Sequence, residues 1–165
     1  KFKIINSGSL NFSNSGNNAI FADIIKNRDT VRVYNVHLES LNLSPKEDYF
    51  TQENSEKFKR RVEKAFKIQT HQAKLIADHI EKSNLKSIIC GDFNNTAFSW
   101  VYHHLKKEKN DAFEVAGKGF GRTYDYKLPV RIDYILTDDL IKVNNFKTYE
   151  VKFSDHFPIM ARINF

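Results

Sequence analysis

Acidic side chains stand at the edge of three apolar, strand-like runs in this 165-residue chain. Asp92 follows one run, Asp133 lies inside another, and Asp155 and His156 come just before the last. A carboxylate or an imidazole can take a proton from water, and a divalent cation can neutralise phosphoryl oxygens. These residue types at strand ends therefore indicate a site that handles phosphate with the help of a metal.

The segment Gly91-Asp92-Phe93-Asn94 places an acid and an amide two residues apart. If the extended direction of the strand continues, both side chains face the same side and flank one water molecule. Gly91 permits close backbone approach or an unusual dihedral angle. A turn that caps the strand end is the structural alternative, because such turns are common.

Asp133 needs a partner, because an unpaired carboxylate in an apolar strand is costly to bury. His156 is an obvious partner, since it precedes a strand and stands beside Asp155. An Asp–His pair would orient the ring and favour the imidazolium, which suits it to hold a phosphoryl oxygen. A solvated or satisfied core histidine is the alternative.

The elements that must position these residues begin with a hairpin. Residues 7–18 are rich in Ser, Asn and Gly, which predicts a loop. The β-branched and aromatic residues of 19–25 and 30–36 predict two strands, joined by a turn at 27–29. The second strand delivers His37 at its end.

A long helix is expected from about Ser55 to Lys82, after a loop at Leu41–Asn54. Apolar residues recur on one side of it at helical spacing, which predicts a buried face. These residues are Phe58, Val62, Phe66, Ala73, Ile76 and Ile80. The Lys and Arg residues elsewhere on the helix are interpreted as a solvated face, with a rail for phosphates as the alternative.

The rest of the chain mixes strands and one helix. Thr96 is expected to cap a helix that runs to about Lys107, and the loop 117–129 is aromatic and basic. Strands are predicted at 87–90, 132–136, 143–149 and 159–163. Mixed elements with hairpin signals predict an α/β sandwich with mixed sheets.

Composition sets the remaining bounds. The length fits one domain, 1–165, and the net charge of +6 favours anionic partners. No apolar run approaches the roughly 20 residues of a membrane span. The single Cys90 excludes an internal disulfide and a multi-cysteine zinc site. Since Lys1 is not a native start residue, the chain is expected to be a processed or truncated piece, and the compartment stays open.

Four segments, in this order, resemble the endonuclease/exonuclease/phosphatase superfamily, which includes the DNase I-like nucleases. The similarity runs from about Ala19 to Phe165. The segments are Asn35-Val36-His37-Leu38, Gly91-Asp92-Phe93-Asn94, Arg131-Ile132-Asp133-Tyr134-Ile135 and Ser154-Asp155-His156-Phe157-Pro158. The resemblance implies a DNase I-like, four-layered α/β sandwich with two packed mixed β-sheets, and magnesium (or manganese) as the cofactor.

The resemblance also implies catalytic roles. Asp92 would polarise or deprotonate the attacking water, and Asn94 would orient that water or the phosphate. His156 would contact the scissile phosphate while Asp133 holds its ring, and His37 would support the phosphate.

Three further residues are candidates near this constellation. Asp155 would be a direct or water-mediated metal ligand. Arg122 and Arg131 are candidates for binding a substrate anion, without an assigned role.

The chain also departs from the family pattern. Family members carry an Asn on the first strand and a metal-binding Glu, usually after Gln, before the hairpin at Ala19, and no Gln-Glu pair occurs before Ala19 in this sequence. The N-terminal third of the domain is therefore predicted to be missing, and the chain is either a fragment or a divergent half-domain. Such a fragment would bind metal weakly, be inactive alone, and expose sheet surface that favours self-association.

Two functions follow. The first is a magnesium-dependent phosphoesterase that hydrolyses a phosphodiester, as nucleases do, or a phosphomonoester. Nucleic acid is favoured as substrate over a lipid headgroup or an inositol phosphate because of the positive charge. The second is a non-catalytic binding module that kept the fold. Some bacterial members carry N-terminal membrane segments, so an upstream anchor is conceivable for this otherwise soluble domain.

Overall fold

The structure, a computed structural model, describes residues 2–13, 15–41, 52–125 and 129–165. Within these residues the chain forms eight strands and three helices. The strands are β1 Lys3–Asn11, β2 Asn18–Lys26, β3 Asp29–His37, β4 Lys86–Asp92, β5 Asn110–Asp111, β6 Asp133–Thr137, β7 Lys142–Thr148 and β8 Ile159–Asn164. The helices are α1 Gln52–Glu81, α2 Trp100–Lys106 and α3 Ala112–Ala116.

The described strands form a larger and a smaller sheet. The larger sheet has the order β1-β2-β3-β4-β6-β5, and the smaller one pairs β7 with β8. β3 and β4 are parallel, whereas the other neighbours are antiparallel. A parallel pair needs a long crossover, and α1 lies within it. The larger sheet is therefore mixed, as expected.

Both faces of the larger sheet are covered by apolar contacts. On one face Tyr34, Ile89 and Leu136 pack with Ala73 and Ile76 of α1 in a buried cluster. On the other face Val31, Ile88 and Ile135 pack against Ile163 of β8. Burial of these side chains on two faces stabilises the layers together. The expected α/β sandwich with two packed sheets is confirmed.

The loop predicted at residues 7–18 is wrong over its first half. β1 pairs with β2 through Asn11 and forms an edge of the larger sheet, with nearly all its side chains exposed. An edge strand with exposed side chains is held by backbone hydrogen bonds, so it does not need the apolar alternation that marks a buried strand. The Ser, Asn and Gly residues of β1 are typical of loops, so the sequence did not indicate a strand here.

Two details of the predicted helices are also wrong. α2 begins at Trp100, and its cap is Ser99, whose hydroxyl accepts a hydrogen bond from the Tyr102 amide at 3.1 Å; Thr96 is not the cap. Phe66 is exposed, although its helical spacing predicts a position on the buried apolar face of α1. The predicted loop at Leu41–Asn54 lies largely outside the described residues, and α1 already includes residues 52–54.

Several apolar side chains are exposed along the β1 edge. Phe2, Ile4 and Ile5, with Ile20 on β2, are all about half exposed or more. Self-association through this surface stays a prediction. None of the helices among the described residues combines the length and the hydropathy needed to cross a bilayer.

Candidate active site

Three adjacent strands bring three candidate residues to one edge of the larger sheet. His37 at the end of β3 is in register with Asp92 at the end of β4. Asp92 is in turn paired with Asp133 at the start of β6. The strand register therefore places side chains from distant parts of the sequence side by side.

Gly91 makes this alignment possible. Its φ is +135°, and a Cβ at this position would lie 2.0 Å from the Val36 carbonyl oxygen. Any other residue would clash with β3 and adopt a strained backbone. Glycine thus lets β4 approach β3 directly before Asp92.

His156 reaches the same edge through the loop that precedes β8. The Phe157 amide donates a hydrogen bond to the Thr123 carbonyl at 2.8 Å, and His156 forms an isolated bridge with Tyr124. These contacts direct the imidazole onto Asp133, with 2.9 Å between Nδ1 and Oδ2. The expected Asp–His pair is present in the structure.

The four side chains form one polar cluster. Nε2 of His156 lies 4.0 Å from Oδ2 of Asp92, and Nε2 of His37 lies 3.7 Å from the same oxygen. The two aspartates are each 17% exposed, and the histidines are more open, at 31% for His156 and 57% for His37. The two carboxylates are thus largely buried, whereas both imidazoles are more accessible to solvent.

The electrostatics of the cluster favour a base beside a cation. Burial raises the pKa of Asp92 to about 6; the carboxylate of Asp133 raises it too, whereas the Asn94 amide and both histidines oppose the rise. The hydrogen bond to Asp133 raises the pKa of His156. At neutral pH, Asp92 is therefore a carboxylate with a near-neutral pKa beside an imidazole that is biased toward its cation.

Asn94 does not continue the extended path expected of it. Its φ is +50°, and its backbone amide donates to Oδ1 of Asp92 at 2.7 Å. Its side-chain amide donates to the Leu38 carbonyl at 3.0 Å. The segment is a turn in which Asn94 holds Asp92 and the end of β3, so the extended path expected from Asp92 to Asn94 is wrong.

Arg131 is largely buried and its charge is paired inside the protein, so its role in binding a substrate anion stays a prediction. Its guanidinium forms an ion pair with Asp111 and lies over the rings of Tyr102, Phe113 and Tyr134. The side chain is only 11% exposed. The ion pair uses the charge of Arg131 inside the protein, because a lone buried charge would be costly.

Arg122 and Asp155 lie nearer the rim. Arg122 pairs with Asp125, and its Nε donates to the Tyr124 carbonyl at 3.1 Å, with the side chain 36% exposed. Asp155 is exposed, and its carboxylate accepts a hydrogen bond from the Ser154 hydroxyl at 3.0 Å. Both are next to the loop that carries His156.

Thr123 is a supporting residue that sequence reasoning missed. Its fully buried hydroxyl accepts hydrogen bonds from the amides of Ile132 at 3.0 Å and Asp133 at 3.1 Å. Its carbonyl holds Phe157, as described above. One residue therefore ties the start of β6 to the His156 loop. In the sequence, the glycine-rich stretch before Thr123 is the signal that could have indicated a specific turn here.

The cluster fits a divalent cation. One ligand atom each from Asp92, Asp133 and His156 lies within 4.8 Å of the others. Carboxylate oxygens are the ligands that magnesium prefers, and the two carboxylates raise a local negative charge that a cation would offset. Asp155 is not part of this group among the described residues.

The fold and the site together define a class of α/β proteins in which two packed sheets carry acids and histidines at the strand ends. The chain matches the Endonuclease/Exonuclease/phosphatase family over residues 20–156. It belongs to this family, whose members are generally metal-dependent. A comparison with curated proteins found no match.

Solved structures share the fold. A mannosyl-6-phosphatase from Bacteroides thetaiotaomicron is 18% identical with a TM-score of 0.71, over 100% of this chain and 68% of that one. TDP2 from D. rerio, complexed with a single-strand DNA product, is 15% identical with a TM-score of 0.70, over 100% and 69%. Beta toxin from Staphylococcus aureus is 25% identical with a TM-score of 0.61, over 98% and 65%. The chain thus spans about two thirds of the length of these proteins, and its DNase I-like fold is established.

Proposed function

We propose that this chain carries the catalytic residues of a metal-dependent phosphoester hydrolase. The observation that supports the proposal is the Asp133–His156 pair beside a buried Asp92 whose pKa is raised to about 6. A purely structural cluster would not gain from placing two carboxylates together in a partly buried site.

The proposed reaction is in-line attack of water on phosphorus. The water oxygen forms the new P–O bond while the bond to the leaving oxygen breaks. Asp92 accepts the proton of the water, and the leaving oxygen takes a proton from solvent. His156 donates a hydrogen bond from Nε2 to a phosphoryl oxygen, and Asp133 holds the ring through Nδ1. His37 supports the phosphate from the open side, and Asn94 holds Asp92 in place.

The metal is proposed to be magnesium, or manganese. Asp92 and Asp133 would hold it, with Asp155 as a further carboxylate nearby. Once bound, the cation would neutralise charge on the phosphoryl oxygens.

A phosphodiester in nucleic acid is the favoured substrate. The net charge of +6 supports an anionic polymer, and one similar structure holds a single-strand DNA product. The mannosyl-6-phosphatase represents the phosphomonoester alternative. Lipid headgroups and inositol phosphates are the other anionic esters to be compared.

His156→Ala in the full-length protein tests the proposal. Turnover with magnesium is measured on plasmid DNA, single-stranded DNA, RNA, a phosphoinositide and sphingomyelin. We expect the substitution to lower kcat by about 10²- to 10⁴-fold, with an unchanged circular dichroism spectrum. His71→Ala, on an exposed position of α1, is the control and should keep full activity.

Retained turnover in the His156→Ala protein would contradict the mechanism. Binding of one of these substrates without turnover by the wild type would favour the binding module instead.

A further inference from the structure

A cleft of about 990 Å³ opens between the loop after α3 and strand β7. Its walls include Lys118, Phe120 and Arg122 on the loop and Lys147 and Glu150 on the side of β7. This volume is at the upper end of the roughly 300–1,000 Å³ of small-molecule sites. The cleft therefore has room for more than a single phosphate group.

The cleft borders segments that pair with the His156 loop. Arg122 precedes Thr123 and Tyr124, the two residues that pair with the His156 loop. On the other wall, Thr148 at the end of β7 pairs with Ile159 at the start of β8, three residues after His156. Both walls are thus next to segments that flank His156, which places the cleft beside the candidate site.

The charge of the cleft favours an extended anion. Three cationic side chains and one carboxylate line it, and with Asp125, the ion-pair partner of Arg122, the balance is +1. The cations stand on both walls: Lys118 and Arg122 on the loop, and Lys147 on β7. A single phosphate group would need one compact cluster, whereas separated cations match successive phosphates of a chain.

Phe120 supplies an aromatic surface between two of these cations. Its side chain is 88% exposed, with Lys118 two residues before it and Arg122 two residues after. Next to Phe120 the loop packs closely against Phe113, because a Cβ at Gly121 would lie only 2.5 Å from the Phe113 ring. An exposed ring within a basic cleft is suited to stack on a base, and only an unpaired base offers its face.

We propose that this cleft binds the part of a single-stranded nucleic acid that extends beyond the scissile phosphate. Lys118 and Lys147 neutralise phosphates along the strand, and Phe120 stacks on a base. The assignment of that strand as substrate rests on the proposed hydrolase function.

The first test measures binding of a fluorescent single-stranded oligothymidylate to the full-length protein in EDTA, which prevents hydrolysis. Lys118→Ala/Lys147→Ala should weaken binding about tenfold at about 0.1 M salt. It should also reduce the slope of log Kd against log salt by about 1.4, because each single-strand phosphate contact contributes about 0.7.

Lys64→Ala/Lys67→Ala is the matched control. Both lysines are exposed on α1, which packs on the opposite face of the larger sheet. Binding by this variant should match the wild type. An equal loss in both double variants would overturn the proposal, since it would report net charge or a binding rail on α1.

The second variant, Phe120→Ala, should weaken binding about fivefold or more without changing the salt slope. Phe98→Ala, which removes a phenylalanine that is 94% exposed outside the cleft, should have no effect. A duplex of the same sequence should compete at least about tenfold less well than the single strand. Three results would each overturn the stacking role. They are equal competition by the duplex, wild-type binding of the oligothymidylate by Phe120→Ala, and a loss of binding by Phe120→Ala that is seen only with phosphatidylserine vesicles.

The cleft and the chemistry fail separately. Turnover of the substrate panel with wild-type binding by both cleft variants would overturn the cleft and leave the hydrolase standing. Cleft-dependent binding without turnover of any phosphoester would overturn the hydrolase, and with it the assignment of the bound strand as substrate.

Discussion

Two aspartates on the larger sheet show opposite ways of burying a carboxylate. Asp23 on β2 accepts hydrogen bonds from Nε and Nη2 of Arg32 at 2.6 and 2.8 Å, and from the Asn6 side chain at 3.0 Å. The Arg32 guanidinium holds the pKa of Asp23 below its usual value. Asp92, on β4, has no such cation fixed to it in the part of the chain that the structure describes; burial, and to a smaller extent the nearby carboxylate of Asp133, raise its pKa to about 6.

The difference separates a residue that stabilises the fold from one that is available for chemistry. The charge of Asp23 is matched by a fixed cation, so removing it should harm folding. The charge of Asp92 is held at a cost to folding, because burial and a second acid disfavour it. A charged group that destabilises the fold but is kept in a solvent-accessible site is typical of a group that acts on a ligand.

The largest expected effect is on catalysis, from Asp92→Asn. Since the amide cannot accept the proton of the attacking water, kcat should fall by about 10³-fold or more. Thermal unfolding without metal should show a Tm equal to or above that of the wild type, because the substitution removes a disfavoured charge. Activity near the wild-type level would refute the role of Asp92 as the base.

The next effect is on stability, from Asp23→Ala. This change leaves the guanidinium of Arg32 buried without its carboxylate, so the free energy of unfolding should fall by about 3 kcal/mol in urea titrations. The control is Asp29→Ala, which removes an exposed pair with Lys86 at 3.8 Å and should cost about 0–1 kcal/mol. Equal losses in the two variants would erase the contrast between matched and unmatched acids.

The smallest effect is the pH dependence of stability without metal. The folded pKa of Asp92 is above its unfolded value of about 3.8, so the folded state gains a proton first as the pH falls. The stability advantage of Asp92→Asn over the wild type should therefore shrink by about 1–2 kcal/mol between about pH 7.5 and pH 5.

Asp23 provides the opposite sign for this measurement. Its folded pKa is lowered, so its stabilisation is complete above the unfolded value and is lost only as the pH falls through the folded pKa. The difference between Asp23→Ala and the wild type should stay constant from about pH 7.5 to pH 5. A gap for Asp92→Asn that also stays constant would contradict the raised pKa.

The site could be predicted because its members stand at the ends of strongly patterned strands. Apolar runs identified β4, β6 and β8, and the polar residues at their edges were visible in the sequence. The pairing of Asp133 with His156 followed from the cost of an unpaired buried acid. The register of the strands then brings His37, Asp92 and Asp133 side by side, because adjacent strands align their ends.

Features that depend on tertiary contacts could not be predicted. Arg131 looked like an anion-binding residue, yet its partner Asp111 is 20 positions away. Asn94 looked extended, but a positive φ turns it toward Leu38. The strand β1 has no apolar alternation because its side chains face solvent. In each case the deciding partner lies far away in sequence or is backbone alone.

Thr123 separates the parts of this protein that must stay fixed from those that can vary. Its hydroxyl and carbonyl clamp Asp133 and the His156 loop from one position, whereas Lys118 and Phe120 come earlier on the same segment. We therefore expect segments grafted between Gly117 and Gly121 to exchange ligand preference while the spacing of acid and imidazole is preserved. That property makes the segment a suitable position for reprogramming recognition by directed evolution.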